Sequence, residues 1–458
     1  MFEIIFNKEN LIVFSFVFFI QILGLNFLLL FFKKFFKENN LFLNLNYSWF
    51  FGNVVFSFFI FLLFVFKKMS FLNLKVFLLM LFFITILFIV SFLREKRKIE
   101  LKKSNLIYLI SILFFFTPLM IESLTSFLIS WDSLAIWFLK AKALYIDKDI
   151  LSFLKNENFY YSSQAYPVGI LLIISVYYRL INQVNDQAIQ FYFVWFFINM
   201  SFLFFGLLIK FFEKFFSKLI LFLLTLSIMV NSAFIIYSHN GYVDLQLGYI
   251  FLTIFSFFYF FIVEKENLFV YSRLIILGLG YSLMIKNEAL PFSVFCIFIL
   301  LIIYLLKYNL LIFFKKNLFY FLSLLPFIYW YFYRKINFIP SFLDGNFIPK
   351  VENLSRLKVV FNYFLLEYFN TNKYGLTLII AFLLIIFFGT VIFYKKKIKI
   401  LLPLIFILLF QISSYFYVFL ITPFPYLIQL ESSLERIFLQ FIPLIYFLAI
   451  VLIKESIF

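Results

Sequence analysis

Residues 75–122 read KVFLLMLFFITILFIVSFLREKRKIELKKSNLIYLISILFFFTPLMIE. Two apolar runs, 75–93 and 105–122, flank a cluster of cations: Arg94, Lys96, Arg97, Lys98, Lys102 and Lys103. Each run is close to the ~20 residues an α-helix needs to cross the hydrocarbon of a bilayer. Lys and Arg accumulate in cytoplasmic loops, so the cluster reads as a cytoplasmic turn between two membrane helices.

The same pattern repeats outward. Apolar runs at 11–32, 49–66, 188–209, 219–238, 246–263, 270–286, 290–306, 318–333, 374–393, 400–421 and 437–454 complete a set, giving about 13 transmembrane helices. The pair 270–286 and 290–306 is short, which predicts tilted or partly re-entrant helices. Composition agrees: 65% of the 458 residues are hydrophobic, only 13% are charged, and mean hydropathy is +1.06. A soluble domain carries about a quarter charged residues. The expected fold class is therefore an all-α polytopic membrane protein, a bundle with juxtamembrane helices on its outer face.

The net charge of +17 is not a nucleic-acid footprint, because the cations fall in short clusters between apolar runs. The one cysteine, Cys296, lies in an apolar segment and excludes both an intramolecular disulfide and a Cys-based metal site. The first run is too long for a signal-peptide core and lacks a small-residue cleavage site, so it reads as a retained helix.

Alternating outward from the central cluster places Lys33–Lys37, Lys210–Lys218, Lys265, Lys307–Lys316, Lys395–Lys399 and Lys454 on the cytoplasmic side. The scheme requires that Pro167–Ile181 not cross but form a helix lying on or dipping into the outer face. Lys67, Lys68 and Lys75 violate it. Glu122, Asp132, Asp147, Asp149, Glu157, Asp186, Asp244, Glu288, Asp344, Glu352, Glu367, Glu431 and Glu435 then gather on the outer side. Acids contribute little to orientation, so outer-face chemistry is a candidate cause. The chain divides into N-terminal helices (1–104), a membrane core (105–333) with a first outer loop (123–187), and a second outer loop with the C-terminal helices (334–458).

Four constellations can carry chemistry. In the first, Asp132 follows a span beside Trp131, placed to act as a general base. Lys140 and Lys142 lie some two turns beyond, in a stretch expected to be helical over 134–145. Together they offer a phosphate two ammonium groups; the structural alternative is an interfacial amphipathic helix. The second is Ser238-His239-Asn240-Gly241-Tyr242-Val243-Asp244, where His239 and Asp244 suit a divalent ion or a substrate hydroxyl, or form a plain polar turn. The third is Lys286-Asn287-Glu288, a pair at membrane depth that must be satisfied. The fourth is Glu435-Arg436, whose guanidinium fork matches phosphate; its alternative is pairing with Glu435, Glu431 or Asp132. The second outer loop, with Arg334, Lys335, Asp344, Gly345 and Lys350, is long enough to cover a cleft.

Taken in order, these pieces resemble the GT-C superfamily of polyprenyl-phosphate-sugar glycosyltransferases, which includes protein mannosyltransferases and the aminoarabinose transferases of lipid A. The shared order is a span and an outer loop opening with an acid (Asp132), then a Pro-led apolar helix (Tyr166-Pro167-Val168-Gly169). A basic span end (Lys210–Lys218), a Gly-x-x-Asp turn (Gly241–Asp244), a Lys-containing turn (Lys286) and a late Glu-Arg before a Pro-containing span (Glu435, Arg436, Pro443) follow. The likeness covers about residues 105–300 and, more weakly, 430–454. Two departures stand: Asp132 is followed by Ser133 where paired acids are usual, and Tyr166 stands where the family often has His. The second leaves metal use open, with a divalent cation as candidate cofactor and His239 as its candidate ligand.

The resemblance implies an inverting transferase on the outer face of a bacterial cytoplasmic membrane. Its donor is a polyprenyl-phosphate-linked sugar and its acceptor a glycan, lipid or protein hydroxyl. Asp132 is the implied base. Lys140, Lys142, Lys286 and Arg436 would hold the leaving phosphate, while Asp244, Glu288 and Tyr166 help bind substrate. The alternatives are a flippase or transporter for a lipid-linked glycan, and a non-catalytic envelope scaffold. Membrane lipid is an expected partner and nucleic acid is not.

Overall fold

A computed structural model describes residues 7–32, 40–69, 72–94, 102–147, 150–156, 159, 163–264, 267–339, 355–395, 398–422 and 425–457. Lys33, Lys34, Lys37, Lys96, Arg97, Lys98, Asp149, Glu157, Tyr160, Tyr161, Ser162, Lys265, Asp344, Gly345, Lys350 and Glu352 lie outside the described residues. Among the described residues, eleven helices are long and apolar enough to cross a membrane, or twelve if one bent pair counts as a span. The chain is an all-α, multi-pass membrane protein.

The count differs from about 13 for two local reasons. The run at 219–238 breaks into Lys218–Met229 and Ser232–His239, bent by 70°. Asn231 sits at the break and its carbonyl starts the next turn by accepting from Ile235 N. The run at 75–93 forms a helix over Leu74–Arg94, whose described apolar part, Leu74–Val90, is shorter than a span. The short pair forms two continuous helices, Leu268–Ile285 and Ala289–Lys307, neither of them broken as a re-entrant segment would be.

The helices divide into two compact units, the first comprising 1–225, 236–243 and 325–339. It contains α1 (Lys8–Phe31), α2 (Leu41–Val65), α3 (Leu74–Arg94) and α4 (Lys103–Thr125). A π-helical turn follows over Ser133–Phe138, then α5 (Leu139–Ile146), α6 (Leu151–Lys155), α7 (Gly169–Ile181) and α8 (Gln190–Phe212). Lipid offers no hydrophobic drive between helices, so small residues and amides hold them together. Gly24 and Gly52 meet where α1 crosses α2, and a Cβ on either would run into the other helix's backbone. Asn40 Nδ2 donates to Gly206 O (2.8 Å), Asn46 Nδ2 to Asn199 O (3.0 Å), and Tyr192 OH to Asn53 Oδ1 (2.5 Å). That descending register makes α2 and α8 antiparallel.

The same reasoning orders the ends of α1, α2, α3, α4 and α8. Phe16 and Phe27 of α1 pack on Phe56 and Phe51 of α2, so α1 and α2 are antiparallel. Phe16 meets Phe77, and Asn26 Nδ2 donates to Ile84 O, so α1 and α3 run parallel. Tyr108 packs on Phe205 and Phe116 on Phe197, making α4 and α8 antiparallel. One face of the unit thus holds the starts of α1, α3 and α8 and the ends of α2 and α4. The opposite face holds the start of α4, where Lys218 Nζ reaches Asn105 Oδ1 (3.0 Å).

α4 ends and α8 starts on the first face, so the segment between them makes no net crossing. With 13 residues α7 is about 20 Å long, too short for about 30 Å of hydrocarbon. Of the two forms expected, lying on the face or dipping into it, burial excludes the first. Every residue but Arg179 is buried, and its neighbours are α1, α2, α3 and α5.

The second unit comprises 226–235, 244–324 and 340–458. Its principal helices are α11 (Asp244–Val263), α12 (Leu268–Ile285), α13 (Ala289–Lys307), α16 (Leu357–Tyr368), α17 (Thr371–Tyr374), α18 (Thr377–Tyr394), α19 (Ile398–Ile421) and α20 (Tyr426–Ile457). The broken pair, α9 and α10, is divided between the units; Leu310–Asn317 (α14) and the 3-10 stretch over Leu318–Leu324 belong to the second, and Leu325–Ile336 (α15) to the first. α11 and α20 run parallel, tied by Gln440 Nε2 donating to Asp244 Oδ1 (2.6 Å) and by Tyr259 OH donating to Glu455 Oε1 (2.7 Å).

Candidate functional site

Asp244, Lys286 and Glu288, three residues singled out from sequence, converge inside the second unit. Asp244 opens α11, where the helix N-terminus favours a carboxylate. Lys286 ends α12, leaving the helix with extended backbone (φ −154°, ψ 148°), and Glu288 precedes α13. Lys286 Nζ lies 2.8 Å from Asp244 Oδ1 and 2.9 Å from Glu288 Oε1. Asp244 is 2% exposed and Lys286 7%. A charge at this depth is expensive unless paired, and here one ammonium is shared by two carboxylates.

Three residues of the cluster were missed by sequence reasoning. Gln440 donates to Asp244 and accepts from the Tyr415 hydroxyl, while Gln411 Nε2 donates to Glu288 O (3.3 Å). All three are buried. The only signal for them was a polar residue inside an apolar run. Arg436 lies one turn before Gln440 on α20 and acts electrostatically on Asp244. It is half-buried, and it donates to Ser432 O (3.2 Å) and Ser433 Oγ (3.2 Å). Glu435 pairs with Lys373 (2.9 Å), which also meets Glu367 (3.1 Å). Burial lowers the Lys373 pKa, but these two carboxylates more than offset it, so the ammonium is held above its usual range.

The first unit positions the other candidates. Asp132 is half-buried just before the π-helical turn, and Ser133 Oγ donates to Asn240 O (2.6 Å). The π turn replaces the first part of the helix expected over 134–145 and shifts the register of α5 behind it; such turns are frequent at functional sites. Lys140 and Lys142 do not act as a pair. Lys140 is fully enclosed, with its ammonium 3.1 Å from Ser163 O and near the rings of Trp137 (5.5 Å) and Tyr166 (5.8 Å). Burial pushes its pKa down to about 7. Lys142 is bound 2.5 Å from Asp186, which also accepts from Tyr178 OH. Tyr166 stacks obliquely on Trp137 at 5.4 Å, so it joins Lys140 in one small aromatic cage.

His239 ends α10 with Nε2 3.5 Å from Glu122 Oε1. Among the described residues no group of three or more His, Cys, Asp or Glu side chains is spaced to hold a metal ion. Cys296 is buried in α13.

Comparison with models of protein families, with curated proteins and with solved structures finds no match for the chain.

Proposed function

We propose that the chain is an inverting glycosyltransferase that moves a sugar from a polyprenyl-phosphate donor to an acceptor hydroxyl at the outer face of a bacterial cytoplasmic membrane, as its resemblance to the GT-C superfamily implies. The observation that carries the reading is local to the first unit. A half-buried carboxylate, Asp132, stands at the start of the π-helical turn, separated from the end of α4 at Thr125 by a short non-helical stretch. The segment it opens turns back as short helices, ending in the enclosed, non-crossing α7. A carboxylate so placed remains within reach of a hydroxyl.

In this reading Asp132 takes the acceptor proton as that oxygen attacks the anomeric carbon, and the C1–O bond to the polyprenyl phosphate breaks. The leaving phosphate, with a second pKa of about 6, needs positive charge more than a proton donor. The named cations differ in what already holds them. Lys142 and Lys286 are paired with carboxylates and Lys140 is enclosed. Arg436, in the second unit, donates to Ser432 O and Ser433 Oγ. Asp132→Asn is expected to lower sugar transfer by the purified protein by at least about 10²-fold with its melting unchanged. Transfer at the wild-type rate would remove Asp132 from the mechanism.

One observation favours a second reading, a carrier for a lipid-linked glycan. The buried Asp244–Lys286–Glu288 group resembles the intramembrane charges that mark transport routes.

A further inference from the structure

The lysines that break the charge rule have a defined place in the first unit. α1 and α2 are antiparallel and α1 and α3 parallel, so the α2–α3 turn lies on the face where α1 starts and α4 ends. This is the face Asp132 adjoins. Lys67, Lys68 and Lys75 are exposed there, while Met69 and Leu72 are buried and anchor the turn.

The backbone adds an independent observation. Lys68 N donates to Leu63 O (2.7 Å) and Lys67 N to Phe64 O (3.0 Å), the paired bonds of a Schellman cap. Its left-handed position is Lys67, at φ 54°. Glycine is the stable choice there, because a side chain costs about 1 kcal/mol in that conformation. Phe66 beside it is 68% exposed and Leu79 after Lys75 is 58% exposed, marking the hydrocarbon edge. Long cationic side chains one turn beyond that edge sit at headgroup depth.

We propose that Lys67, Lys68 and Lys75 form a binding surface for the phosphates of anionic bilayer lipids on the face that carries Asp132. The surface is independent of whether the chain transfers sugar. Lysines at a membrane surface attract anionic lipid with about fivefold in affinity each.

The test reconstitutes the full chain in equal parts phosphatidylglycerol and phosphatidylcholine, re-extracts it in mild detergent, and counts retained lipid by native mass spectrometry. The wild type is expected to retain phosphatidylglycerol preferentially. Lys68→Gln and Lys75→Gln should each weaken that preference about fivefold. Lys67→Gly should weaken it equally while raising the melting temperature, an outcome that separates lipid binding from helix capping. Unchanged preference in all three would overturn the proposal, as would displacement of the lipid by millimolar inorganic phosphate, which would mean a soluble-anion site. Lys67→Cys supplies the topological arm, since Cys296 is buried. Labelling of intact cells by an impermeant maleimide is expected, and labelling only after permeabilisation contradicts the assignment.

Discussion

Lys286 carries its charge between two carboxylates, Asp244 and Glu288. Lys286→Met should cost about 3–5 kcal/mol, because it leaves Asp244 buried without its ammonium partner. Adding Asp244→Asn should recover part of that loss, so the double variant melts above the sum of the single effects. Strict additivity in detergent melting curves would mean the pair is not coupled. Lys140 makes a separate prediction, with its sign fixed by linkage. Its folded pKa, about 7, lies below the unfolded value of 10.5. Between those limits the unfolded chain binds the extra proton, so stability rises with pH across that window and the burial penalty is largest below it. Melting from about pH 6 to about pH 9 should show this rise in wild type and lose it in Lys140→Met. An identical pH slope in the two would contradict the burial of a titrating amine. Asp244, Lys286 and Glu288 were legible in sequence because charge beside an apolar run is conspicuous. Gln440 was not, since its bond to Asp244 spans 196 residues of chain, and Tyr415 joins the cluster through Gln440.

Helix α1 meets α2 at Gly24 and Gly52 so closely that a methyl on either has no room. Gly24→Ala and Gly52→Ala should each destabilise by about 1–3 kcal/mol. Gly389 is the control: it lies in α18 with nothing within 4 Å of where a Cβ would stand, so Gly389→Ala should be neutral or slightly stabilising. Equal behaviour of the three in thermal melts would contradict the packing described. Apolar run length made most spans legible, but it reports lipid depth rather than helix length. The last run was expected over 437–454, whereas α20 spans Tyr426–Ile457. Its early residues, such as Glu431 and Glu435, are helix-compatible yet polar, so hydropathy stops before the helix does. α16 was hidden in the stretch read as a second outer loop for a related reason: its 12 residues are too few to register as a span.

Across the chain as a whole, the first unit's helix order agrees with the alternation drawn from Lys and Arg, and it places Lys67, Lys68 and Lys75 with the acids. What charge counting could not supply was a reason for that exception, which lies in the turn's geometry and its lipid-facing neighbours. The functional reading rests on chemistry at the face Asp132 adjoins, and it is reached most directly by following the donor. Purified protein in vesicles would be given synthetic polyprenyl-phosphate sugars together with a hydroxyl acceptor, and free polyprenyl phosphate would be measured. Its release with inversion at the anomeric carbon is expected, and so is loss of release in Asp132→Asn. Movement of intact donor between leaflets without cleavage would contradict the transferase reading and leave the carrier standing.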